Sequence, residues 1–191
     1  MTALPATAIA DTRHWLERAV IGLNLCPFAK SVHVKGQIHY AVSAATSPQE
    51  LLDDLKNELK SLVALDSIAR DTTLLIAPDC LEDFLDFNDL LSKADKVLKA
   101  LKLNGTIQIA SFHPQFQFAG TAVDDITNCT NRAPYPTLHL LREASIDRAV
   151  EAFSQAETIF EANMQTLEQL GHAGWDALEV GPSTTRGKIK P

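Results

Sequence analysis

Thr72-Thr73-Leu74-Leu75-Ile76-Ala77, closed by Pro78, is the stretch on which the fold turns. A short uncharged run, ended by a residue that cannot donate to a ladder, has the pattern of a buried strand. Next come Asp79 and Glu82, at the spacing of a helix-capping pair. Leu81, Phe84, Leu91, Ala94, Val97 and Leu101 then recur at helical intervals, and Asn104-Gly105 stops the run. Thr106 to Phe112 is again rich in β-branched residues. A strand, a helix and a strand in succession predict a βαβ unit and an at least partly parallel sheet.

The same alternation extends in both directions. Upstream, Ile38 to Ser43 reads as a short strand. Ser47-Pro48-Gln49-Glu50 opens a helix with Leu51, Leu55, Leu59 and Leu62 on one face. A first helix is expected from about Asp11, with Trp15, Ala19 and Leu23 four apart, breaking at Cys26-Pro27; residues 1–10 read as a loose arm. Downstream, Thr137 to Arg142 suits a fourth strand or a short helix. A last helix is expected between Ser145 and Leu170, broken near Ser154-Gln155 and capped by Gly171. The expectation is one α/β domain, residues 1–180, with about four strands alternating with helices and with N- and C-terminal helices packing on the sheet. Residues 181–191 read as a disordered tail.

Composition narrows the function classes. The 191 residues are 46% hydrophobic and 21% charged, enough to bury a core without a staple. Seventeen basic against 24 acidic residues give a net charge of -7. That balance repels phosphate backbones, and the basic end from Arg186 to Lys190 is too small to offset it, so neither nucleic acid nor an anionic membrane is an expected partner. Three scattered cysteines, Cys26, Cys80 and Cys129, form no disulfide framework and point to a reducing compartment. No secretory leader and no apolar run of membrane-spanning length is present, which leads to a cytoplasmic expectation. Phosphate-binding glycine loops, a Gly-x-Ser-x-Gly elbow and a His-Glu-x-x-His motif are all missing.

Chemistry concentrates in the irregular stretch from Phe112 to Glu143, because long structureless segments inside a domain are more often functional than idle. His113 follows a strand end, the usual address of a base or ligand in an α/β sheet. His139 and Glu143 stand four apart, a spacing that shares a face on either a helix or a strand. Arg132, set in Asn131-Arg132-Ala133-Pro134-Tyr135-Pro136, and Arg142 are candidates for holding an anion, with Asn131 and Tyr135 beside the substrate. Cys26 is the candidate nucleophile. At the end of the first helix its thiol would be inert; at the start of a new turn after Pro27 it would be activated.

Asn24-Leu25-Cys26-Pro27-Phe28-Ala29, Phe112-His113-Pro114, and Thr130 to Pro136 followed by Leu138-His139-Leu140-Leu141-Arg142-Glu143 together carry a family likeness. From about Asp11 to Gly171 the chain resembles family 1415 of the domains of unknown function, found mainly in bacteria. Position 133, often serine in that family, is Ala133 here, so no hydroxyl stands there. The resemblance transfers no reaction; it groups Cys26, His113, Arg132, His139 and Glu143 as one set.

Three functions follow. The first is a small enzyme with a Cys/His/Arg pocket for an anionic small molecule, using Cys26 as nucleophile and His113 or His139 as base. The second is a metal- or haem-binding protein with Cys26, His113 and His139 as ligands and Glu143 near them. The third is a non-catalytic module that docks a partner through the Pro134-Tyr135-Pro136 loop; it predicts that the named side chains do not converge.

Overall fold

Every residue of Thr72–Ile76 is buried, as an interior strand with both faces covered requires. The computed structural model describes residues 4–152 and 158–183. Its sheet contains β1 (Ile38–Val42), β2 (Thr72–Ile76), β3 (Ile107–Phe112) and β4 (Thr137–Arg142), in the order β1-β2-β4-β3. β1 and β2 are parallel, while β4 runs antiparallel to both β2 and β3. β3 therefore points the same way as β1 and β2, with one reversed strand between them. The segment left open between strand and helix is a strand: Leu138 and Leu140 are buried two apart, the strand period.

Paired residues project to the same side of a sheet, so the register assigns the faces. Leu75, Leu138, Leu140, Ile107 and Ile109 share one face, covered by α3 (Pro48–Ala64) and α4 (Phe84–Ala100). Leu51, Leu55, Leu59 and Leu62 of α3 and Phe87, Leu90, Ala94 and Leu98 of α4 fill this core. α3 starts as its sequence dictates: Ser47 Oγ accepts from Glu50 N–H, and Glu50 accepts from Ser47 N–H in return. α4 starts a turn later than expected. Asp83, not Asp79, is its cap, accepting from the N–H groups of Leu85 and Asp86. Leu81 lies outside the helix with φ of 59°.

The other face carries α1 (Pro5–Trp15), a π-helical turn at Leu16–Ile21, and α2 (Ala29–Val34). The expected loose arm is thus helical from Pro5, which sits at the first helical position, where its missing N–H costs nothing. Ala8 is fully buried against Leu74, Ile76 and Tyr135. Met1–Ala3 lie outside the described residues. Trp15, Leu16, Ala19 and Val20 pack on Ile38, Tyr40 and Phe112. The π-helical turn ends at Gly22, where a Cβ would stand 2.3 Å from the Arg18 carbonyl oxygen, so no larger residue fits that backbone. Buried Asp11 clasps the two ends of the described chain: its Oδ2 accepts from Tyr135 Oη at 2.8 Å and from the N–H and hydroxyl of Ser183 at 3.0 and 3.1 Å. Residues 184–191 lie outside the description.

α5 (Glu143–Ala152) follows β4 directly, and α6 (Ile159–Asp176) packs on a 3-10 turn at Ile126–Asn131. Leu167 meets Leu25 and Cys129, and Asn163 Nδ2 donates to the Leu25 carbonyl at 2.8 Å. Gly171 (φ 62°) is a kink, beyond which helix resumes to Asp176, rather than a cap. The break expected at Ser154-Gln155 falls outside the described residues. No described helix is long and apolar enough to cross a membrane.

Candidate functional site

His113 stands at the carboxyl end of β3, as expected, but turned toward the α4 layer. It is fully buried between Phe84 and Phe87, with ring centroids 5.4 and 5.1 Å away. Its Nδ1 accepts from the N–H of Gln115 at 3.0 Å. The proton must then sit on Nε2, which donates to the Leu81 carbonyl at 3.0 Å. Burial lowers its pKa, and both nitrogens are committed to backbone. This histidine holds the turn after β3 against the segment before α4.

Both arginines are committed in the same way. Arg132 donates from Nε to the Phe116 carbonyl and from Nη2 to that of Val123, closing the 113–125 loop on itself. Arg142 reaches the carbonyls of Leu62, Leu65 and Arg70, satisfying the C-terminal end of α3 and the turn after it. Neither presents its guanidinium to a cleft. Asn131 donates to the Ser111 carbonyl, and Tyr135 holds Asp11.

His139 differs. The register places it on the α1 face, in a row Tyr40, Leu74, His139, Ala110 across the four strands. Thr72 Oγ1 donates to the Leu140 carbonyl at 2.6 Å, so it accepts from His139 Nε2 at 2.7 Å. Nδ1 therefore carries a lone pair, with no hydrogen-bond partner among the described residues. Burial pushes the pKa down to about 4, so the ring is neutral at neutral pH. Glu143 does not join it. The strand ends at Arg142, Glu143 opens α5, and no hydrogen bond or ion pair links the two among the described residues. The shared face expected from their spacing ends with the strand.

Cys26 belongs to this same face. It packs into the cluster of Trp15, Ala19 and Phe112, and Phe112 in turn lies against Trp15 at 5.2 Å and His139 at 6.0 Å between ring centroids. A new helical turn does follow Pro27, and the N–H groups of Phe28 and Ala29 favour the thiolate. Burial outweighs them and pushes the Cys26 thiol up, so it is protonated at neutral pH. Cys80 and Cys129 are buried and also pushed up, Cys129 to about 11.

The sheet therefore divides the expected set. His113 lies on the α4 side, while Cys26 and His139 lie on the α1 side. Among the described residues no group of three or more His, Cys, Asp or Glu side chains is placed to hold a metal ion. The α1 side also holds polar atoms that motif reading passed over. Thr12 Oγ1 and Tyr40 Oη are buried without a hydrogen-bond partner among the described residues. Their signal was available in part: assigning alternate residues of Ile38–Val42 to faces places Tyr40 among the apolar ones. Two shallow grooves lie elsewhere, one of about 300 Å³ beside Asp86 and Asp89, the other of about 390 Å³ beside Asp95, Lys99 and Glu143.

The molecule is an α/β protein with a four-stranded mixed sheet between two helical layers, one mainly apolar and one carrying more polar groups. Residues 7–177 match the family described as Protein of unknown function (DUF1415), and the chain belongs to that family. No curated protein and no solved structure matches it.

Proposed function

We propose that the protein binds an uncharged small molecule on the α1 side of the sheet, with His139 as the hydrogen-bond and proton acceptor and Cys26 as the neighbouring thiol. The observation that carries this reading is the unshared lone pair of His139 Nδ1, on the face that also holds Cys26. The imidazole of pKa about 4, the protonated thiol and the hydroxyls of Thr12 and Tyr40 are neutral, while the Asp11 carboxylate is held by Tyr135 and Ser183 and the Arg13 guanidinium stacks on the Tyr40 ring. Such a set suits a ligand that donates hydrogen bonds and carries no charge. It does not suit the anion first expected, because both arginines that would hold an anion are committed to carbonyls.

The test is a thermal-shift screen of uncharged polar metabolites against the wild type, His139→Gln and Cys26→Ser. The expected result is a compound that raises the melting temperature of the wild type and loses that effect in His139→Gln. A screen in which every stabilising compound acts equally on all three proteins would sink the proposal.

A second reading, an interaction module, cannot use the Pro134-Tyr135-Pro136 loop first expected, which is buried, but a different surface supports it. Rings run in contact from Phe84 through Phe116 and Phe118 to Phe160, which is 55% exposed. An aromatic series ending at the surface suits protein contact.

A further inference from the structure

β3 is an outer strand, and the hydrogen bonds around it show which of its backbone groups face outward. Glu143 N–H donates to the Thr106 carbonyl, which sets the phase of the β3–β4 ladder one step beyond its last pair, Ile107–Arg142. Hydrogen-bonded pairs alternate along an antiparallel ladder, so Gln108, Ala110 and Phe112 bond to β4, and Ile107, Ile109 and Ser111 turn their N–H and C=O groups away. Two further contacts agree. Ile107 N–H points outward to the Leu103 carbonyl, and the Ser111 carbonyl points outward to Asn131 Nδ2. Four groups are left without a partner among the described residues: the carbonyl of Ile107, the N–H and carbonyl of Ile109, and the N–H of Ser111.

These four are symmetric about Ile109. An antiparallel second copy of β3, related by a two-fold axis at Ile109, satisfies all of them. Ile109 exchanges two hydrogen bonds with its own counterpart, and each Ser111 N–H meets the Ile107 carbonyl of the other copy. A full ladder would also carry Ile107 N–H to the Ser111 carbonyl of the other copy; Leu103 and Asn131 already hold those two groups, so four hydrogen bonds join the copies. The strand, Ile107-Gln108-Ile109-Ala110-Ser111-Phe112, has none of the charges or prolines with which exposed edges block pairing. The groove of about 390 Å³ lies along it, and its rim carries Asp95, Lys99 and Glu143. Both signs of charge are thus available for a surface that must complement itself.

We infer that the β3 edge is the interface of a two-fold dimer, in which two four-stranded sheets join into one of eight. The pairing sets Gln108 of each copy opposite Ala110 of the other, on the face and in the row of His139. The second copy thereby brings an amide side chain toward the candidate site. The inference stands on backbone geometry, so it holds or fails apart from the ligand proposed above.

Sedimentation velocity over a dilution series, with hydrogen exchange of the Ile109 and Ser111 amides, tests it on the intact chain. The expected result is a monomer–dimer equilibrium in which both amides are protected and lose protection on dilution. Ile109→Pro removes only an outward N–H, and circular dichroism checks its fold. It should weaken association about 30-fold, the loss of two ordinary hydrogen bonds per dimer. A monomer at all concentrations with both amides exchanging freely overturns the inference. So does a dimer whose Ile109 and Ser111 amides exchange freely, since that dimer uses another surface.

Discussion

The two faces of the sheet are built from the same strands yet filled in different ways. Toward α3 and α4 the filling is mostly leucine, isoleucine, alanine and Phe87, interrupted by the hydroxyl of Thr73 and by His113, whose two ring nitrogens are both bonded to backbone. Toward α1 the sheet presents Tyr40, Thr72, His139 and Thr137 among its apolar residues, and α1 answers with Asp11 and Thr12. Apolar burial is the main favourable term in folding, whereas a buried polar group contributes modestly when paired and costs stability when unpaired. The α3–α4 layer thus holds the largest apolar cluster among the described residues. The α1 layer keeps groups that stability alone does not favour, which is where a binding role is to be sought.

The largest expected effect tests the apolar side. Phe87 is fully buried among α3, α4 and His113, so Phe87→Ala should cost about 4 kcal/mol in urea denaturation. A loss near that expected for a surface site would mean that the two layers do not differ as described.

The next concerns acid. His139 in the folded chain has a pKa of about 4, against 6.5 for the free side chain. Between those values the unfolded chain binds the extra proton, so stability rises with pH across the window and is lost as pH falls from about 6.5 to about 4. His113, lowered by burial too, acts in the same direction. His139 should account for at most about 3 kcal/mol of that loss, and His139→Gln should flatten the stability profile between those pH values. An unchanged profile would remove the burial of this ring from the comparison.

The smallest effect has the opposite sign. The Thr12 hydroxyl is buried in α1 without a hydrogen-bond partner among the described residues. Thr12→Val keeps the shape and removes the hydroxyl, so it should raise stability by about 1 kcal/mol. A loss on this substitution would show that the hydroxyl is satisfied in solution.

What could be read beforehand follows the range of the interactions. The β2 strand, the α3 cap and the helical stripe of α4 depend on neighbours in sequence, and all three are present. The start of α4 was misplaced because Asp79 and Asp83 are both plausible caps. The choice between them depends on where Leu81 is drawn by His113, 32 residues away. The helix at Pro5 escaped notice because its stripe is made of small residues, and Ala8 counts only once Leu74 lies beneath it. In the candidate site, residue types were legible but their obligations were not. Arg142 finds its carbonyls 72 to 80 residues away, and nothing in its own surroundings distinguishes a cap from an anion clamp. Of the two candidate histidines, His139 keeps a ring nitrogen without a partner among the described residues, and the strand alternation of Thr137–Arg142 was the one clue to it.

The Asp11 clasp bears on how the protein is made. Its carboxylate on the first helix waits for Ser183, 172 residues later. Ser183 follows every strand and helix described, so the clasp is the last of these contacts that the order of synthesis permits. The side of the sheet that carries His139 is thus the one whose closure draws on both ends of the described chain.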